Sequence, residues 1–255
     1  MLFDTHAHLN DEQFDLDRDE MIRKCQEEGI ALIMNPGADM KSSLESVALA
    51  NQYEFIYCAV GVHPHSAEEM DVKSISLLAD MAKDKKVRAI GEIGLDYFRD
   101  LSPRDIQKTK FIEQIDLAKQ LHLPIIIHDR DSHGDVLSIL KKENIKLVGG
   151  ILHSFSGSLE MALECIKLGL KISISGPVTF ANNKKTIEVV RGIPLEHLLI
   201  ETDSPYLTPV PFRGKRNYPA LVKYVAEKVA EIKGISYEEV EKITFENGKR
   251  IFGML

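Results

Sequence analysis

Histidines and acids recur in this chain where predicted strands end, and as a set they have the chemistry of a divalent-cation site. The first strand closes on Asp4-Thr5-His6-Ala7-His8. Residues two apart on a strand share a face, so His6 and His8 can offer two imidazoles to one cation. The fourth strand closes on Glu92, flanked by Gly91 and Gly94. A buried carboxylate is costly unless paired, and Glu92 meets that cost if it bridges two cations. His128 and His153 each end an otherwise apolar strand and are expected to serve a second cation. The eighth strand runs into Glu201-Thr202-Asp203, with Glu201 and Asp203 on one face. Asp203 lies nearer the open end, where it can bind the first cation and hold an attacking water. Glu201 is one layer deeper and is expected to orient a ligand.

These side chains need a scaffold that brings strand ends together. Eight β-rich runs alternate with amphipathic stretches: Leu2–Thr5, Ala31–Asn35, Phe55–Val60, Ala89–Ile93, Ile125–His128, Leu147–His153, Lys171–Ser175 and Leu198–Thr202. Between them, Phe111, Ile115, Ala118 and Leu121 recur at helical spacing, as do Val222, Val225, Val229 and Ile232. Ser102-Pro103 is expected to cap one helix and Ser158 another, with Gly169 ending the latter. Residues 236–252 read as one more helix. The pattern predicts an α/β protein, a single (β/α)8 TIM barrel over residues 1–255 of the metal-dependent hydrolase type. No GxGxxG follows the first strand and no Walker-type loop occurs, which argues against an open dinucleotide-binding sheet.

Composition narrows the partners. The net charge of −7 excludes a protein that coats nucleic acid and leaves only a local basic patch for that purpose. Such a patch is offered by Arg213-Gly214-Lys215-Arg216 in a Pro-rich loop after the eighth strand, with Lys184-Lys185 a lesser extension. Arg213 and Arg216 can present paired donors to phosphate, and His63, after the third strand, can donate to a phosphate oxygen. His65, His122, His133 and His197 read as loop, packing or surface residues. The three cysteines, Cys25, Cys58 and Cys165, have no paired short spacing, so they read as buried small hydrophobes in a reducing compartment. With neither a signal-like N-terminus nor an apolar run of about 20 residues, a cytoplasmic protein with no membrane contact and no obligate protein partner is expected.

Assembled, these residues give the chain a resemblance to the TatD family of metal-dependent deoxyribonucleases. The resemblance spans nearly the whole sequence. It is carried by Asp4-Thr5-His6-Ala7-His8-Leu9, Gly61-Val62-His63-Pro64-His65, Gly91-Glu92-Ile93-Gly94-Leu95-Asp96-Tyr97, His128, His153-Ser154-Phe155-Ser156-Gly157, Glu201-Thr202-Asp203-Ser204-Pro205 and Arg213-Gly214-Lys215-Arg216-Asn217. Ser154 stands where the family often has Cys. The resemblance implies one cation on His6, His8, Glu92 and Asp203, and a second on Glu92, His128 and His153. It implies hydrolysis of DNA phosphodiesters, often from a 3′ end, with single-stranded DNA as substrate. Two cations would lower the pKa of a bound water and stabilise charge in the transition state, with Asp203 orienting that water and taking its proton. Four imidazoles favour a softer metal, whereas nucleases often use magnesium, so magnesium, manganese and zinc all stay open. The competing enzyme is an amidohydrolase-type barrel acting on an amide, lactone or amino group. A barrel that binds nucleic acid or a partner and keeps metal only for structure is the non-enzymatic alternative.

Overall fold

The apolar runs fold as eight parallel strands that follow chain order through one sheet, with helices between them, in a computed structural model describing residues 1–254. The strands are β1 (Leu2–Asp4), β2 (Ile30–Pro36), β3 (Ile56–Val60), β4 (Val87–Asp96), β5 (Ile125–Arg130), β6 (Gly150–Leu152), β7 (Leu170–Ile174) and β8 (Leu198–Ile200). The helices are α1 (Arg18–Glu27), α2 (Met40–Gln52), α3 (Ser74–Met81), α4 (Arg104–Leu121), α5 (His133–Lys142), α6 (Leu159–Lys167), α7 (Lys184–Gly192), α8 (Val222–Lys233) and α9 (Tyr237–Ile251). This is the (β/α)8 barrel class expected from the alternation of periods. Among the described residues no helix is long and apolar enough to cross a membrane.

Contacts group the residues into two compact units. One comprises Met1–Asn35, His153–Leu163 and the residues from Ile172 onward. Here β1 pairs with β2 through Phe3↔Leu32 and Asp4↔Ile33, and β7 pairs with β8 through Ile172↔Leu198 and Ile174↔Ile200. The Thr5 N–H donates to Ile200 O at 3.2 Å and Ala7 bridges Ser204, so the chain beyond β8 runs beside β1. Val222, Val225, Ala226 and Val229 form the buried face of α8, the 3–4 spacing of an amphipathic helix. Gly234, in the left-handed region at φ 67°, ends it. Ser236 caps α9 by accepting from the Glu239 N–H.

The other unit comprises Pro36–Leu152 and Glu164–Lys171. Ile125, Ile126 and Ile127 of β5 are all fully buried, as an interior strand covered on both faces requires. Asp39 and Ser42 form a capping box that starts α2. Here β4 runs on past Ile93 to Asp96. Its register against β5 shifts between Ile90 and Ile93, and Gly94 then takes φ 146° directly against the His128 carbonyl, where any Cβ would collide. Glycine is what lets the strand continue.

Two local expectations are corrected. Leu147 does not open the sixth strand: Ile145–Leu147 is a short 3-10 turn, and β6 begins only at Gly150, after Gly149 takes φ 70°. Ser102 does not cap α4. Its hydroxyl donates to the His65 carbonyl at 2.9 Å, and the helix starts from Pro103 without a side-chain cap.

Candidate metal centre

Strand ends in each unit gather imidazoles and carboxylates. In the first unit His6, His8 and Asp203 offer ligand atoms that all lie within 4.8 Å of one another, and so do His6, His153 and Glu201. His6 Nε2 stands 3.1 Å from His8 Nε2, and Asp203 Oδ1 lies 3.5 Å from His8 and 3.7 Å from His6. Ligand atoms about 2.0–2.2 Å from a common ion are separated by roughly 3 to 3.5 Å, so the three fit one divalent cation.

The backbone explains this convergence. The Asp203 N–H donates to His6 O at 2.9 Å and the His8 N–H to Ser204 O at 2.8 Å, which locks the end of β1 to the segment after β8. Asp203 itself sits at φ 56°, so the chain turns as it leaves β8. Beneath, the fully buried Asp4 accepts from the Thr202 N–H at 2.9 Å and from the Thr202 hydroxyl. Burial pushes the Asp4 carboxyl well above the usual carboxylate range, against the pull of those bonds. At Asp203 burial also raises the pKa, but His8, His153 and His6 outweigh it and the carboxyl is held low.

Glu201 is fully buried and accepts from the Ser154 N–H at 2.6 Å. Its Oε1 faces His153 Nδ1 at 3.4 Å, while its Oε2 has no hydrogen-bond partner among the described residues. The His153 ring stacks on His6 at 4.0 Å between centroids. A carboxylate beside a metal-binding imidazole can fix ring orientation and raise ligand basicity. Ser154 turns its hydroxyl to Ser175 at 2.8 Å.

The second unit brings His63, Glu92 and His128 together, again with ligand atoms within 4.8 Å. Glu92 Oε1 lies 2.8 Å from His128 Nδ1 and 3.5 Å from His63 Nε2. Asp96 adds a second carboxylate, which takes His65 Nε2 at 2.8 Å and His128 Nε2 at 3.1 Å on its Oδ2. Burial raises the Asp96 pKa, but bonds from His128, the Arg99 N–H and His65 prevail and hold it below the usual range. Two imidazoles and a carboxylate on three neighbouring strand ends suit a divalent transition ion.

Asp96, His65 and Asp4 make contacts beside these groups that sequence reasoning passed over. The signal for Asp96 was available in the period-two spacing of Glu92, Gly94 and Asp96, obscured by a glycine that looked like a strand end. For His65 nothing but its nearness to His63 pointed inward.

The basic loop divides. Arg216 pairs with both carboxylate oxygens of Asp17 and lies over the Phe14 ring at 4.8 Å, so it braces the loop against the segment before α1. Arg213 is exposed and stacks on Phe180 at 4.4 Å, with no ion pair among the described residues. Lys184 and Lys185 are exposed at the start of α7. His122 ends α4 in the left-handed region, and His133 Nδ1 bonds Asp129 at 2.8 Å. All three cysteines are buried as free thiols, and burial pushes each thiol up to about 12.

Comparison with known proteins places this geometry in context. The family described as TatD related DNase matches residues 3–253. A relative from Bacillus subtilis (strain 168), named as the uncharacterized metal-dependent hydrolase YabD, is 52% identical over 99% of each chain. The 3′-5′ ssDNA/RNA exonuclease TatD of Cronobacter sakazakii is 34% identical, over 98% of this chain and 97% of its own. The crystal structure of YJJV, a TatD homolog from Escherichia coli K12, superposes with a TM-score of 0.93 at 31% identity, covering 99% of this chain and 98% of that one.

Proposed function

Because this chain belongs to the TatD related DNase family and is a metal-dependent hydrolase, we propose that it hydrolyses phosphodiester bonds of single-stranded DNA from the 3′ end with the help of two divalent cations. The observation that carries this reading is the presence of two separate donor groups. His6, His8 and Asp203, with His153 and Glu201 behind them, form one; His63, Glu92 and His128 form the other. The choice of a nucleic-acid end rests on the relatives named as 3′-5′ exonucleases.

Magnesium, manganese or zinc held there would supply Lewis acidity, lowering the pKa of a water and neutralising phosphate charge. The protein's own contribution is placement. Asp203, kept ionised by its three histidine neighbours, accepts a hydrogen bond from the attacking water, orients it and takes its proton. Glu92 holds His128 and His63 in one arrangement. Glu201 fixes the tilt of the His153 ring. Arg213, with no carboxylate partner among the described residues, is the member of the basic loop able to meet a substrate phosphate; Arg216 would first have to leave Asp17.

The test is hydrolysis of end-labelled single-stranded DNA by metal-stripped protein, with magnesium, manganese or zinc restored, beside Glu92→Ala. A metal-dependent ladder that shortens from the 3′ end and vanishes in the variant is expected. Absence of cleavage with every metal would overturn the nuclease reading and favour a small-molecule hydrolase.

A further inference from the structure

The loop that leaves β4 carries an exposed aromatic and several cations, and neither the ligand groups nor the helix packing uses them. Phe98 is 59% exposed and Leu101 63%, and Arg99 between them is exposed as well. The Arg130 guanidinium, from the end of β5, lies over one face of the Phe98 ring at 4.9 Å. Neither Arg99 nor Arg130 makes an ion pair among the described residues, although the protein as a whole is acidic, with a net charge of −7. An exposed ring with a guanidinium over one face, and a second arginine next to it in the chain, has the composition that single-stranded nucleic acids favour: a π-face for a base and cations for its phosphates.

This loop is also held in place. Phe98 and Arg99 donate their N–H groups to Asp96 Oδ1 at 2.9 and 2.7 Å. The other oxygen of the same carboxylate takes His65 and His128. The Tyr97 N–H donates to Arg130 O at 2.9 Å, and the Tyr97 hydroxyl to Asp135 at 2.7 Å. Arg104 packs over the Tyr97 ring at 4.3 Å. One carboxylate therefore fixes the imidazoles on one side and the backbone of the exposed aromatic on the other. Little ordering entropy is left to lose when a base settles on the ring.

We propose that Phe98, with Arg130 over one face of its ring, is a stacking seat for a base near the 3′ end of a single-stranded nucleic acid. The proposal rests on the nuclease reading for its choice of ligand, and its geometry lies wholly in the β4–α4 loop and the end of β5. Stacking on an aromatic is sequence-tolerant, because every base has a π-face. The seat therefore selects for the presence of a base rather than for its identity.

The test uses metal-loaded protein and a fluorescein-labelled hexathymidylate with phosphorothioate linkages, which resist cleavage, against the same oligonucleotide lacking its two 3′-terminal bases. Fluorescence anisotropy is expected to show the complete strand bound about tenfold more tightly, or better. Phe98→Ala should bring that ratio close to one, and Phe98→Trp should keep it. Phe98 is exposed and its loop is held through backbone atoms, so an unchanged thermal midpoint is expected for both. Equal discrimination by wild type and Phe98→Ala would overturn the seat while leaving the nuclease reading intact. Failure of the wild type to bind either strand would overturn it too. Discrimination lost in Phe98→Ala, in a protein that cleaves no natural DNA with any metal, would leave the seat standing and the nuclease reading refuted.

Discussion

The two ligand groups use similar side chains and hold them by different means. In the first, His6, His8 and Asp203 are positioned mainly by backbone bonds between the end of β1 and the segment after β8. Its supporting carboxylates, Asp4 and Glu201, are fully buried and spend bonds on the Thr202 and Ser154 N–H groups. In the second, carboxylates hold the imidazoles directly: Glu92 and Asp96 together take both nitrogens of His128, and Asp96 takes His65. The two groups are about equally covered: the His8 and Asp203 side chains are 16% and 14% exposed, those of His128 and His63 18% and 9%. The first group is thus shaped before any ion arrives. An ion must displace the His6–His8 hydrogen bond in the first, but the carboxylate bonds of both Glu92 and Asp96 to His128 in the second, so the first should bind the tighter ion.

The largest effect should come from Asp203→Asn. If Asp203 orients water and takes its proton, turnover falls by roughly 10²- to 10⁴-fold while elemental analysis still finds metal bound. Full activity in that variant would remove the chemical distinction drawn for this residue. Next come the supporting carboxylates. Glu201→Gln and Asp96→Asn should each weaken one ion about 10- to 100-fold, each in its own group, in a calorimetric metal titration. If both variants weakened the same ion, the two groups would not be separate sites.

A smaller effect concerns stability. Asp4→Ala leaves the buried Thr202 N–H and hydroxyl without their acceptor, a loss of about 1–3 kcal/mol in a denaturant titration. No loss would mean that the join between β1 and the segment after β8 does not depend on Asp4. The smallest effect is expected at Asp17 and Arg216, on the partly exposed rim of the first unit. The Arg216 hydrogen bond lowers the Asp17 pKa below its ordinary value, prevailing over an opposing push from burial. The pair's stabilisation is therefore complete above the unfolded value of about 3.9 and is lost as pH falls through the lower folded value. Both side chains are more than a third exposed, so screening should keep it below about 1 kcal/mol. Arg216→Ala should flatten that part of the stability profile between pH 5 and 2, and an unchanged profile would show that the brace is idle.

How much of this was legible in the sequence follows from where each determinant lies. All eight strands and the late helices were readable, because buried β-branched runs such as Ile125–Ile127 and the 3–4 spacing of Val222, Val225 and Val229 are local signals. His6, His8, Glu92, His128, His153 and Asp203 stood out because polar residues ending apolar strands are hard to explain by packing. The extension of β4 to Asp96 was hidden by Gly94, whose conformation is demanded by the approach of the β5 backbone and so by a partner over 30 residues away. The commitment of Arg216 to Asp17 joins residues 199 apart, and no spacing rule reports such a pair. Ser102 looked like a helix cap because Pro103 follows it, but the nearby His65 carbonyl competes for its hydroxyl.

The most direct test of two separate cation sites is a count of ions. Metal-stripped protein titrated with manganese and followed together by calorimetry and by hydrolysis of single-stranded DNA should bind two ions per chain with distinct affinities. Hydrolysis should follow occupancy of the weaker site. His63→Ala should leave one ion bound, the tighter one. Binding of a single ion by the wild type, or full hydrolysis before the second ion binds, would contradict the account.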